Sequence, residues 1–535
     1  MIRPNLLRRI ELIAALLLSV AVLSLLFVRG THAGGLWRDE CGTVQLAQMP
    51  TTSDIIEYFD HQTFPPLVPL IVRLYVRLCG GSDAALRCFG FAAGAAFVCA
   101  AWFNARAVGQ GVPLLSLALF GLSPTFLTWG TTVGGYGFGA VLIILAFAIS
   151  AKLLLARTPS VILGAFIATL GSHQFVIGNL TLAVTIALSA LLVAVTNREF
   201  KTTVIVATII VCCILVGTLY LRIFSSGEWR VLLQQSGRLP DLWREFTGAY
   251  GASLLHTWVV RSCFIASVIA GGWMLGKGGF HRVDSSESSV LPYALLVALL
   301  SPVAYLAALS LLGYRTHPWH YLLLLALLAV AIDTILALIS RVYWLRVARL
   351  GCAILIAIAA AAPAWIAVHE RQTNIDIVSK KVTELAKPTD LIVVAPWQYG
   401  ISFNRYYHGG TPWITLPTMD DHQIHRYDLM LVKMMSPHPI DDVLERISQT
   451  LALGNRVWLV GGIRILEEGH PPLSLPPAPN DQFGWDDAAY SESWFEQLGA
   501  FVRTHSERGQ TVPLGSIGPI NNFEDVPLVV VNGWQ

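Results

Sequence analysis

The sequence predicts a polytopic α-helical membrane protein, with about eleven transmembrane helices and a C-terminal soluble α/β domain. Composition comes first: 54% of the 535 residues are hydrophobic and 13% are charged, against roughly 25% charged in an ordinary soluble domain. Mean hydropathy is +0.60, so a water-soluble core is excluded. Second, runs of about 20 apolar residues, the length a helix needs to span a bilayer, recur through residues 1–370. Third, the pattern changes beyond His369, where charge, proline and short alternating apolar runs appear.

Taken in order, the expected spans are Leu12–Val28, Ala84–Asn104, Val112–Trp129, Tyr136–Ala156, Ser160–His173, Val176–Thr196, Thr202–Phe224, Leu254–Gly276, Val290–Leu312, Trp319–Ser340 and Ala348–His369. The basic N-terminus lacks a small-x-small cleavage site before Arg29, so Leu12–Val28 reads as a retained helix. Pro65–Cys79 is short and opens on prolines, and it carries Arg73 and Arg77 on one face. It fits a helix lying at the interface better than a span. With the N-terminus cytoplasmic, the inner loops then carry Arg106, Lys152 with Arg157, Arg198 with Lys201, Lys277 with Arg282, and Arg341, Arg346 and Arg349. Positive charge on every inner loop is what the positive-inside rule requires. The expected domains are therefore a membrane domain over 1–370, with an outer loop 30–83 containing the interfacial helix 65–79, and an extracytoplasmic domain over 371–535.

In that last domain "IDIVSKKVTELAK" and "HPIDDVLERISQTLAL" read as amphipathic helices, and "DLIVVAP" and "RVWLVGG" as buried strands. The eight cysteines form no C-x-x-C pair, which argues against a zinc or disulfide framework. "GGYGFG" over 134–139 follows no strand and opens an apolar helix, so it is discounted as a nucleotide loop. No nucleic acid is expected among the partners.

Chemistry concentrates in the outer loops. "LWRDE", Leu36–Glu40, places two carboxylates, Asp39 and Glu40, just past the first span. Nearby lie His61, Arg87 at the start of the second span, Tyr136, His173, and Arg315 with His320 and Tyr321 in "GYRTHPWHY". A lipid phosphate is an anion at the bilayer surface, and arginine pairs with it bidentately at any relevant pH. A sugar transfer also needs a carboxylate to take the acceptor's proton and a cation for the departing phosphate. Each group has a plainer alternative: arginines snorkel to head groups, histidines hydrogen-bond at helix ends, and aromatic residues form the interfacial belt. Asp333, inside the tenth span, is costly there unless paired and reads as a structural contact.

These segments resemble the membrane-embedded GT-C glycosyltransferases, a group that includes protein O-mannosyltransferases and the lipid A aminoarabinose transferase. The matching stretches are "WRDE" over 37–40, "PPLVPLIVRLYVRLCGGSDAALRCFG" over 65–90, "SPTFLTWGTTVGGYGFGAVLIILAF" over 123–147 and "THPWHYLLLLALLAV" over 316–330. The resemblance covers roughly 1–370. It implies a polyprenyl-phosphate sugar donor and a lipid, glycan or protein acceptor, at the outer face of a bacterial inner membrane, with inversion at the anomeric centre. It places the family's catalytic loop aspartate on Asp39, with Glu40 beside it, the leucine-arginine position on Arg87, and the late basic-tyrosine position on His320–Tyr321. Arg315, His61, Tyr136 and His173 are further substrate-binding candidates. No cofactor is fixed, and a divalent metal is the one candidate. Two positions depart from the family pattern. Phe64 stands where many relatives have histidine before Pro-Pro-Leu, and Gly134 stands where many have arginine two residues before the tyrosine. These departures keep open a second reading, a catalytically inactive GT-C-like scaffold or envelope-assembly protein. A transporter fits less well, because transporters place paired charges at midplane and the spans here hold almost no charge except Asp333.

Overall fold

A computed structural model describes residues 4–62, 64–109, 111–224, 239–250, 254–276, 289–313, 316–340, 343–464, 470–515 and 518–535. The chain forms two compact units. The first comprises residues 1–31, 64–223 and 237–368, and the second residues 32–63, 224–236 and 369–535. The loop after the first span is thus divided between them at Thr63–Phe64.

The first unit is a bundle of apolar helices. Among the described residues, nine helices are long and apolar enough to cross a membrane, and the protein is an integral membrane protein. The helix Pro159–Ser172 is apolar but only 14 residues long. The expected span Val112–Trp129 is not one helix. It runs through Leu114–Ser116, a π-turn at Leu117–Gly121 and a break before Pro124–Trp129. Pro124 lacks the N–H that would continue the ladder, so a new helix starts there. The helix Leu67–Cys79, between the first two spans, carries its apolar residues on one face.

Among the described spans the one ending in the helix Leu322–Ile339 is the most enclosed, and that helix is apolar except at Asp333 and Thr334. Asp333 is wholly buried and fully engaged. The Arg349 guanidinium donates to Oδ1 from Nη2 (2.7 Å) and Nε (3.2 Å), and the Ser116 N–H and hydroxyl donate to Oδ2 at 2.9 and 2.8 Å. Arg346 donates to Glu11. Both arginines were expected in an inner loop. They lie instead on the helix Tyr343–His369, each turned inward to an acid on another span, because a buried carboxylate is tolerated only when paired. Arg341 lies outside the described residues.

The glycines of "GGYGFG" serve close packing. A Cβ on Gly137 would fall 2.2 Å from the Gly130 carbonyl oxygen.

The second unit holds a five-stranded sheet in the order β2-β1-β3-β5-β4. The strands are β1 Leu391–Ala395, β2 Trp413–Thr415, β3 Val457–Gly461, β4 Arg508–Thr511 and β5 Leu528–Asn532. β1 runs parallel to β2 and β3, while β5 is antiparallel to both β3 and β4. Every residue of β1 and β3 is buried, as expected of apolar runs covered on both faces. The helix Ile375–Leu385 contributes Ile375, Val378 and Val382 to the core, which also takes Phe403 and Trp458. Asp390 ties the starts of β1 and β3 together: it accepts from the Arg456 side chain, the Arg456 N–H and the Trp458 indole. Burial pushes this carboxyl up, but those donors and the Lys387 N–H hold it below the usual range.

Candidate functional site

In the second unit, Gly34 sits at φ +68 and turns the chain into the helix Arg38–Ala47, with Asp39 and Glu40 in its first turn. Acids suit that end of a helix, yet the two are used differently. Glu40 is buried and reaches back to accept the Trp37 N–H at 3.3 Å, a capping contact. Asp39 stays 29% exposed.

Two sets of hydrogen bonds seat this helix. The Leu36 N–H donates to the Tyr406 hydroxyl (2.6 Å), and Gln45 bridges Ile401 O and Asn404 Nδ2. These fix it on Tyr399–Tyr406, the helix that follows β1. The Arg38 N–H donates to Glu524 Oε2 (3.0 Å), and its guanidinium donates to Phe523 O (3.1 Å). Glu524 is completely buried and also accepts from the Thr373 hydroxyl. Burial pushes its carboxyl up to about 7, against the pull of Arg38.

The Arg38 guanidinium lies 5.9 Å from the centre of the Tyr399 ring, just past the carboxyl end of β1. Strand order reverses between β1 and β3, and parallel sheets commonly take ligands at such a point.

Asp39 Oδ1 lies 3.4 Å from His425 Nε2 and 3.7 Å from Arg38 Nε. His425 is buried. Its Nδ1 is 3.3 Å from Gln62 Nε2. Its ring lies nearly parallel to that of Tyr427 and edge-on to Trp397. Gln62 is itself confined, because a Cβ on Gly42 would fall 2.8 Å from its Nε2.

His61 Nδ1 lies 3.9 Å from Asp428 Oδ1, and Arg426 grips Asp428 while reaching Asp421 at 3.2 Å. Burial opposes ionisation of Asp428, but Arg426, the Leu429 N–H and His61 hold its carboxyl below the usual range. A polar cleft of about 580 Å³ opens here, lined by Asp54, Tyr58, Asn404, His422 and Arg426 among others. Burial also holds the His422 imidazole below its ordinary range, against the pull of Asp421 and Asp420.

The remaining candidates lie in the membrane unit. Arg87 is buried in the early turns of the helix Asp83–Ala107. Tyr136 and His320 come together, with ring centroids 6.5 Å apart. His320 Nδ1 accepts the His317 N–H at 2.8 Å, and its carbonyl accepts from Tyr305. Tyr321 is fully buried and donates to Leu242 O at 2.9 Å. His173 is buried at the end of the helix Pro159–Ser172. Arg315 lies outside the described residues.

The two departures from the family pattern are in contact. Phe64 packs edge-on against Tyr136, and a Cβ on Gly134 would fall 2.6 Å from the Phe64 ring. An apolar groove of about 760 Å³ lies in the same unit, lined by Leu239, Trp243, Val303, Leu306 and Leu311 among others.

Among the described residues, no group of three or more His, Cys, Asp or Glu side chains forms a cage for a metal ion.

Sequence reasoning missed His425, Gln62, Arg426 and Asp428. "DDHQIHRYD" over 420–428 is dense in histidine and acid, which was the available signal.

No family model matches the chain, and no curated protein does. Solved structures do resemble it. ArnT from Cupriavidus metallidurans bound to undecaprenyl phosphate is 10% identical at a TM-score of 0.48, over 83% of this chain and 92% of that one. The same protein in the apo state is 11% identical at 0.44, over the same shares. The Archaeoglobus fulgidus oligosaccharyltransferase tethered to an acceptor peptide containing the NVT sequon is 10% identical at 0.45, over 95% of this chain and 73% of that one. Both proteins are GT-C superfamily members, the group the sequence motifs resemble. With about one residue in ten identical, these likenesses assign no role to any side chain.

Proposed function

We propose that this protein is a glycosyltransferase that moves a hexose or pentose from a polyprenyl-phosphate carrier to a lipid, glycan or protein acceptor. The reaction takes place at the extracytoplasmic face of a bacterial inner membrane, with the N-terminus cytoplasmic. Asp39 is the catalytic residue. Its carboxylate takes the proton of the acceptor hydroxyl as that oxygen bonds to the anomeric carbon. The bond from that carbon to the phosphate oxygen breaks, and the carrier leaves as polyprenyl phosphate. Arg87 and Arg315 are the proposed phosphate ligands, and the apolar groove along Leu306 and Trp243 is the proposed seat of the isoprenoid chain. Tyr136, His173, His320 and Tyr321 remain proposed substrate-side residues. Glu40, turned back on the Trp37 N–H, serves the helix rather than the sugar.

The observation that carries this reading is the difference between the two neighbouring acids. Glu40 is buried in a capping contact, while Asp39 keeps an exposed face and has one oxygen 3.4 Å from His425 Nε2. A proton acceptor needs both access and a fixed direction.

The test is transfer of labelled sugar from a panel of polyprenyl-phosphate donors to a total membrane extract, by the purified protein and its Asp39→Asn variant. Transfer by the wild type alone supports the reading. Equal transfer by both removes Asp39 from the chemistry. No transfer from any donor by well-folded protein favours the inactive scaffold, which the Phe64–Gly134 exchange also suits.

A further inference from the structure

We propose that His425 is a positioning residue for Asp39, supplied to the first-loop helix from a distant part of the chain, and that Gln62 sets its tautomer. The inference rests on the reading of Asp39 as the general base.

The two ring nitrogens of His425 face different partners. His425 Nδ1 faces the Gln62 amide at 3.3 Å. When Nε2 of that amide donates, Nδ1 must accept, so the proton sits on the imidazole Nε2. Nε2 is the atom 3.4 Å from Asp39 Oδ1. The protonated ring nitrogen is therefore the one nearest a carboxylate oxygen, at a separation from which it can bias the side-chain rotamer. At 3.4 Å the contact is longer than a mature hydrogen bond and can shorten when an acceptor engages the carboxylate.

The surroundings hold the ring in place. Trp397 meets it edge-on at 6.3 Å, and Tyr427 lies at 11° to its plane. Gln62 in turn has no slack toward Gly42. Among the described contacts, Arg38 also lies near Asp39 Oδ1, at 3.7 Å. Its own position is fixed by Phe523 and Glu524, so it is a constant background in any variant of His425.

Packing and hydrogen bonding by His425 are separable by substitution. Phenylalanine keeps the ring between Trp397 and Tyr427 and loses the donor. Glutamine loses the ring and returns an amide N–H close to the position of Nε2. The experiment compares wild type, Asp39→Asn, His425→Phe and His425→Gln by labelled-sugar transfer, each checked by thermal melting in detergent. His425→Phe is expected to lower kcat about 10- to 100-fold, the worth of a hydrogen bond to a charged group, with little change in donor KM or melting temperature. His425→Gln is expected to recover at least about tenfold over His425→Phe. Full activity in His425→Phe, or loss in His425→Gln alone, overturns the inference. Asp39→Asn as active as wild type would instead sink the transferase reading itself.

A measurement without turnover keeps the two apart. Water-soluble carbodiimide labels the protonated carboxyl. Loss of the N–H donor from His425 should carry Asp39 labelling to higher pH in His425→Phe than in wild type, with His425→Gln between them. Identical labelling profiles in all three would reject the role of His425, whatever the donor panel shows.

Discussion

Asp333 and Asp39 are the same side chain in two settings. Asp333 is wholly buried, and its oxygens take donors from Arg349 and Ser116. Asp39 meets a histidine at 3.4 Å and stays 29% exposed. In the first, desolvation is met by a full set of charge-assisted hydrogen bonds, and nothing remains to bind a substrate. In the second, one oxygen lies near a histidine while the group keeps access to solvent, the combination that the proposed proton transfer needs. The two carboxylates thus differ in enclosure: one is fully paired, and the other keeps an open face.

The largest test of that contrast is Asp39→Asn. It should cut transfer by about 10³-fold, the scale of a lost general base, and leave the melting temperature unchanged. Asp333→Ala should do the reverse. Removing one partner strands Arg349 in the bundle at a cost of about 3–5 kcal/mol, visible as loss of monodisperse protein on size-exclusion in detergent. The double variant Asp333→Leu with Arg349→Leu should recover most of that loss.

A smaller effect is expected from Glu524. Its folded pKa, about 7, lies above the ordinary glutamate value, so the folded state holds more protons between roughly pH 4.5 and 7. This group's stabilising contribution is complete below the lower value and fades as pH rises through the upper one. Melting temperature should fall by several degrees across that window, and Glu524→Gln should flatten the slope. Smaller still, Gly42→Ala presses on Gln62 and should lower transfer only about two- to fivefold, through loosening of a single hydrogen bond. Melting temperature that drops with the activity would mean that the helix, and not the amide, had moved.

Much of the fold was legible because its signals are local. Uninterrupted apolar runs marked the long helices, and "DLIVVAP" and "RVWLVGG" became β1 and β3, strands buried on both faces and therefore apolar throughout. β2, three residues long, carries too little pattern to read. β4 is exposed along its length and lacks an apolar signature. Val112–Trp129 was apolar enough for a span, but apolarity does not register the break that Pro124 imposes.

The site was legible only in part. Asp39 stood out by its place after the first span. That Glu40 differs from it could not be read from two adjacent acids. On a helix, neighbours point about 100° apart, and the helix's packing decides which one turns inward. His425 was out of reach, since its tie to Gln62 joins residues 363 positions apart. Arg349 was counted as a loop charge because its partner, Asp333, lies on another helix.

Arg38 takes its backbone and guanidinium partners, Glu524 and Phe523, from 486 and 485 positions later in the chain. A ribosome that has delivered every apolar helix to the membrane has not yet made either residue. The polar seat beside Asp39 is therefore among the last features completed during synthesis. A chain truncated before Phe523 would carry all its spans while lacking the buttress under its reactive end, so insertion into the membrane is no measure of a finished molecule.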